Sequence, residues 1–161
     1  MDIKQVVISR RNIKQFKLDS IDEKQLISWL ETASFAPNHR MSQPWEVLFV
    51  GPETRKKLNH KTNFGDAPLV LAFVSKAAQN ELDRVEYLVA VSCFVQNFQL
   101  LAWEAGVGVR WTSIGATPAN REILGVKDGE VVIGILGVGY PLDVPQLKPR
   151  LPIYEKIRHL E

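Results

Sequence analysis

The sequence predicts a mixed α and β domain in which helices cover a small, buried sheet. Three observations carry this expectation. Short β-rich runs near residues 45–50, 69–75, 109–114 and 131–138 alternate with segments of helical periodicity. The run over 69–74 is continuously apolar, as in a strand covered on both faces. The chain has 161 residues, 45% of them hydrophobic and 24% charged. That is one domain with a real core, because a chain near 150 residues hides roughly 70% of its unfolded surface.

Each element has a local cause. Ile3, Val6 and Val7 stand at i, i+3, i+4 and predict a short amphipathic helix over 2–10. A basic segment follows, Arg10-Arg11-Asn12-Ile13-Lys14-Gln15-Phe16. Ser20-Ile21-Asp22-Glu23 has the form of a capping box, with Ser20 capping the amide of Glu23. A helix then runs to about Phe35, with Leu26, Ile27, Leu30 and Ala33 inward, and Pro37 ends it. Residues 37–44 are a proline-bounded loop, and 45–50 a strand closed by Gly51-Pro52. A polar helix fills 53–60 before the strand over 69–74.

Residues 81–105 form the longest periodic segment, apolar almost all round from Tyr87 to Val95, which predicts a buried helix. A chain this small cannot hide all of that surface alone, a first pointer to a partner subunit. Gly106 and Gly108 end the helix, and a strand follows over 109–114. Thr117-Pro118 is a good N-cap and first-turn pair for a short helix closed by Gly125, and 131–138 is the last central strand. Pro141, Pro145, Pro149 and Pro152 then exclude both a helix and a central strand. At about 3.1 Å per residue such an arm reaches on the order of 37 Å, enough to lie across a second subunit. A short helix over 154–160 is expected at the end.

Composition and motifs exclude several functions. Lys plus Arg is 20 and Asp plus Glu is 18, so the net charge of +2 is too balanced for a bulk nucleic-acid or membrane-surface binder. The single cysteine, Cys93, excludes an intrachain disulfide and reads as a buried small hydrophobe. His39, His60 and His159 have no metal-ligand spacing. The glycines after residue 105 lack the strand-to-helix context of a dinucleotide fingerprint, and neither a phosphate loop nor a Gly-x-Ser-x-Gly elbow is present. No apolar signal core opens the chain and no apolar run nears the ~20 residues of a membrane span, so a cytoplasmic protein is expected. What remains is cationic: Arg10, Arg11 and Lys14 near one end, Lys148 and Arg150 near the other. Converged, they suit a phosphorylated small molecule; apart, they are two solvated patches. The residues alone leave both open.

Four stretches, in order, resemble the nitroreductase family of FMN-dependent oxidoreductases in its short bacterial form. They are the basic segment 10–16; Ala36-Pro37-Asn38-His39-Arg40-Met41-Ser42-Gln43-Pro44-Trp45; Gly106-Val107-Gly108-Val109-Arg110-Trp111-Thr112-Ser113; and Leu124-Gly125-Val126 through Gly137-Val138-Gly139-Tyr140-Pro141. Lys148-Pro149-Arg150 matches the basic pair near the family's C-terminus.

The resemblance implies a single α+β domain over 1–161, a three-layer α-β-α sandwich with a small, mostly antiparallel sheet. It implies an intertwined homodimer in which the arm 140–161 packs on the partner, with two FMN sites at the interface. Arg10, Arg11, Asn12 and Lys14 would hold the flavin from one subunit, Arg10 at the phosphate and Lys14 at the pyrimidine edge, where it tunes the ring. Lys148 and Arg150 would complete the phosphate site. Pro37, Asn38, His39 and Met41 would come from the other subunit, and Trp111, Thr112 and Ser113 would lie beside the isoalloxazine. The implied activity is hydride transfer from NADH or NADPH, through FMN, to an electron-poor acceptor; no protein acid or base is demanded. Reductive dehalogenation, flavin fragmentation and FMN binding without turnover are the alternatives. Asn12 replaces the family's usual Ser, Phe35 stands where short members often carry a basic residue, and few residues separate the second strand from the long helix.

Overall fold

The computed structural model describes residues 1–160. Helix α1 (Ile3–Ser9) is capped by Asp2, whose carboxylate accepts the Gln5 N–H at 2.9 Å. Helix α2 (Glu23–Ala33), strand β1 (Trp45–Phe49), helix α3 (Pro52–Lys57) and strand β2 (Leu69–Ser75) follow. The long helix α4 (Glu81–Glu104) leads to β3 (Gly108–Thr112), α5 (Pro118–Ile123) and β4 (Val131–Gly139). The four strands form one sheet in the order β1-β2-β4-β3, and every neighbouring pair is antiparallel. This is the mixed architecture predicted.

The two faces of the sheet bury different side chains, as the period of two requires. Leu71, Phe73, Leu136 and Val138 meet α2 and α4 on one side. Val70, Ala72, Val74 and Ile135 meet Leu58, Phe64, Ile123 at the end of α5 and the following Leu124 on the other. Hence the sandwich has three layers. Phe94 of α4 stacks on Trp45 at 5.0 Å between ring centroids and meets Phe73 edge-on at 5.6 Å.

Three local expectations are corrected. Asp22, not Ser20, caps α2: its carboxylate accepts the Gln25 N–H at 3.0 Å, two residues later than the capping box placed it. Trp29 takes the core position assigned to Ile27, which is exposed. One 3₁₀ turn, Ile153–Lys156, stands in place of the helix expected over 154–160.

Helix α4 is buried on one face only. Val91, Phe94, Val95, Phe98 and Ala102 enter the core, whereas Leu82, Val85 and Val89 are open to solvent. Cys93 is half-buried at the edge of that open face, not enclosed as expected. The first part of the proline arm returns over its own chain: Leu142 N–H donates to Gln15 O at 3.0 Å, and Lys17 N–H to Tyr140 O at 2.9 Å. Beyond it Leu151, Ile153, Tyr154 and Leu160 are all exposed.

Candidate functional site

The site begins where α1 ends. Arg10 leaves helical geometry at φ −53°, ψ 134°, and the chain runs on extended beside β3. Ile13 N–H donates to Val109 O at 3.0 Å, and Asn12 pairs with Val109 in a parallel bridge. Ile13 is buried between the outward-facing Asn12 and Lys14, and a bend at Lys14 breaks the alternation so that Phe16 is buried as well. The bridge between Phe16 and Pro141 sets the arm down alongside.

Between this segment and the arm lies a cleft of about 700 Å³. Arg10, Arg11, Asn12 and Lys14 line one wall, and Lys148 and Arg150 the other, so the two basic clusters do converge. Val7, Ile8, Leu147 and the prolines 145 and 149 supply apolar walls, and no carboxylate lines it. The Arg10 guanidinium is held below its ordinary basicity, first by burial and then by the charges of Arg11 and Arg150. Such uncompensated charge is costly in the absence of an anion.

The five cations do not play one role. Arg11 donates from Nη1 to the carbonyls of Ile8 (2.8 Å), Ser9 (2.8 Å) and Arg10 (3.0 Å), and from Nε to Pro145 O at 3.2 Å. It closes the C-terminus of α1 and staples the arm to it. Among the described residues the side chains of Arg10 and Lys148 have no protein partner, and Arg150 makes one long bond of 3.4 Å to Lys148 O. Asn12 is half committed: its Oδ1 accepts the Trp111 N–H at 3.0 Å, leaving the amide Nδ2 for a ligand.

With this geometry in view, the comparisons with known proteins are decisive. The nitroreductase family model matches residues 7–63 and 53–140. The chain belongs to the nitroreductase family. YfhC of Bacillus subtilis strain 168, whose name assigns it to the NAD(P)H nitroreductases, is 33% identical over 98% of this chain and 94% of its own length. A nitroreductase-like family protein of Bacillus cereus superposes with a TM-score of 0.90 at 31% identity, covering 100% of this chain and 97% of that one. The NADPH:FMN oxidoreductase of Vibrio harveyi, solved with NAD+, shares the fold at a TM-score of 0.87 and 20% identity, covering 98% and 76%.

The resemblance sends Pro37, Asn38, His39 and Met41 to the flavin of a partner subunit and Trp111, Thr112 and Ser113 to the isoalloxazine, and in this chain all seven lie outside the basic cleft. Pro37 instead lines an open groove on α4 with Val89 and Cys93. Asn38 shapes its own loop, donating to Ala36 O at 3.1 Å and accepting the Gln43 N–H at 3.0 Å. His39 and Met41 sit on an exposed 3₁₀ turn in which Arg40 and Met41 both adopt φ 52°. Trp111 and Thr112 point their polar atoms back into the sheet, Nε1 to Ile133 O at 3.2 Å and Oγ1 to Ile135 O at 3.1 Å. Neither they nor Ser113 line the cleft.

A second cleft of about 730 Å³ adjoins the first and shares Asn12, Lys14 and Pro145 with it. Its other walls bring in His60, Lys61, Asp66, Arg110 and Asp143. Arg110 donates from Nη1 to Lys14 O at 2.8 Å. Sequence reasoning missed Arg110 and His60. The one available signal was a charged residue inside an otherwise apolar strand; for His60 there was none.

His60 stacks on Phe64 at 4.3 Å with 20° between the rings, and its Nδ1 accepts the Phe64 N–H at 3.0 Å. Its basicity is pushed below the ordinary 6.5, first by burial and then by Arg110 and Arg55. The sign follows. Below 6.5 the unfolded chain binds a proton that the folded chain resists, so stability falls as pH drops through that window. The melting temperature of the wild type should therefore fall further than that of His60→Gln between about pH 7.5 and about pH 5.5. Parallel losses in the two proteins would contradict this.

Proposed function

We propose that this chain is an FMN-dependent oxidoreductase that passes hydride from NADH or NADPH to an electron-poor acceptor, such as a nitroaromatic or a quinone, in a ping-pong cycle. One observation carries the reading: cations from residues 10–14 and 148–150 converge on a cleft that no carboxylate neutralises. The guanidinium forks of Arg10 and Arg150 and the ammonium group of Lys148 match a phosphate monoester in charge and in donor geometry. Family membership supplies the flavin to which that phosphate belongs. When bound, FMN supplies the two-electron chemistry.

The protein binds and orients. Arg10, Lys148 and Arg150 hold the phosphate, and Arg11 holds the arm that carries the last two. Lys14, shared by the two clefts, stands where the phosphate site passes into the ring site, at the pyrimidine edge. A positive charge there favours the electron-rich state of the ring. No side chain is required as a proton donor or acceptor.

The same reading makes the protein a homodimer. The open face of α4 with Leu82, Val85 and Val89, and the bare apolar residues after Arg150, support a second copy. The loop with Pro37, Asn38, His39 and Met41 reaches the flavin from that copy, and the end of the arm packs on it.

The test is the absorption spectrum of the purified protein. Flavin bands, with FMN released on denaturation, are expected. Colourless protein that ignores added FMN would overturn the proposal. Steady-state oxidation of NADH and NADPH against nitroaromatics, quinones and halogenated phenols then separates acceptor reduction from dehalogenation.

A further inference from the structure

The second cleft contains a group that the phosphate site does not use. The His60 ring is fixed on two sides: Phe64 stacks beneath it, and the Phe64 N–H occupies its Nδ1. An Nδ1 that accepts places the proton of the neutral ring on Nε2. Nε2–H is then the one free polar group of the imidazole, on a side chain that lines the cleft.

The lining indicates what that donor meets. Lys14, Lys61 and Arg110 are joined there by two carboxylates, Asp66 and Asp143, whereas the first cleft has none. An anion is better served next door. A cleft that offers donors and acceptors together fits an uncharged edge in which carbonyl and N–H groups alternate. The two clefts meet at Asn12, Lys14 and Pro145, so one ligand can span both.

We propose that His60 donates a hydrogen bond from Nε2 to a ring carbonyl of the bound cofactor, with Phe64 fixing the ring and its tautomer. This rests on the FMN reading above. Arg110 contributes in two ways. It pins the main chain of Lys14, and its charge opposes a second proton on the imidazole, as does that of Arg55 from α3. His60 therefore acts as a neutral donor beside the cationic Lys14.

The experiment compares FMN dissociation constants, by fluorescence quenching, for the wild type, His60→Phe and His60→Gln. His60→Phe keeps an aromatic ring on Phe64 but has no donor. It should bind FMN about five- to tenfold more weakly, the loss expected for one neutral hydrogen bond. The visible absorption maxima of its bound FMN should shift, and displacement by inorganic phosphate should be unchanged. His60→Gln restores an N–H donor and should recover affinity to within about threefold. A second measurement needs no variant: the wild type should discriminate against either the 2-thio or the 4-thio analogue of FMN. A His60→Phe protein that matches the wild type in both affinity and spectrum overturns the assignment, and so does equal wild-type affinity for all three flavins. Wild-type protein that binds inorganic phosphate but no flavin is the separate result by which the FMN reading itself fails.

Discussion

Arg10→Ala loses FMN but not its fold. Charge-assisted hydrogen bonds are worth about 1.5–3 kcal/mol each, and 1.4 kcal/mol is tenfold in affinity. Removing a fork that faces a phosphate should weaken FMN binding about a hundredfold or more. The apo protein should respond differently. Arg10 is held below its ordinary basicity by burial and by Arg11 and Arg150, so its charge opposes the ligand-free fold at every accessible pH. Deleting it relieves that repulsion and removes no hydrogen bond to protein. The melting temperature of apo Arg10→Ala should equal or slightly exceed that of the apo wild type, a signature of a residue retained for binding. Fluorescence titration and calorimetry check the two halves. FMN affinity within threefold of the wild type would remove Arg10 from the site.

Arg11, its neighbour, shows why the sequence alone could not apportion these roles. Both are arginines in one basic run, and both were expected at the cofactor. Which of them is spent on carbonyls depends on where α1 stops and where Pro145 lies, 134 residues away. The strands were easier, because alternation and apolar runs are local properties; so were the segment at 10–16 and the arm, whose charges have few carboxylates nearby in sequence. Capping was ambiguous for a physical reason. Ser20 and Asp22 are both good caps two residues apart, and local sequence does not choose between them; in the structure it is Asp22 whose carboxylate accepts the Gln25 N–H. His60 was invisible because its role comes from a stack on Phe64 and from Arg110, 50 residues on, neither of which leaves a periodic trace.

Gly65→Ala should be among the most damaging single-methyl changes in the chain. Gly65 lies within a turn in which Asn63, Phe64, Gly65 and Asp66 all have positive φ, Gly65 at 73°. Its carbonyl accepts the Phe16 N–H at 3.0 Å, which ties the turn to the basic segment. A Cβ there would lie 2.1 Å from Lys14 O and 3.3 Å from Arg110 Nη1. Lys14 O is main chain and already accepts from Arg110, so no rotamer relieves the contact; the whole strip from Asn12 to Phe16 must move. Gly106 supplies the comparison. It has φ 80° but nothing within 4 Å of an added Cβ, so Gly106→Ala carries the left-handed backbone cost alone, about 1 kcal/mol. Gly65→Ala adds the collision and should cost about 3–5 kcal/mol, a large share of a marginal stability. Urea denaturation of the two variants measures the difference. Any Gly65→Ala protein that still folds should also bind FMN poorly, because Lys14 has been displaced, while Gly106→Ala should bind it normally. Equal destabilisation by the two substitutions would mean that the basic segment does not rest on the turn, and the placement of Lys14 between the two clefts would fall with it.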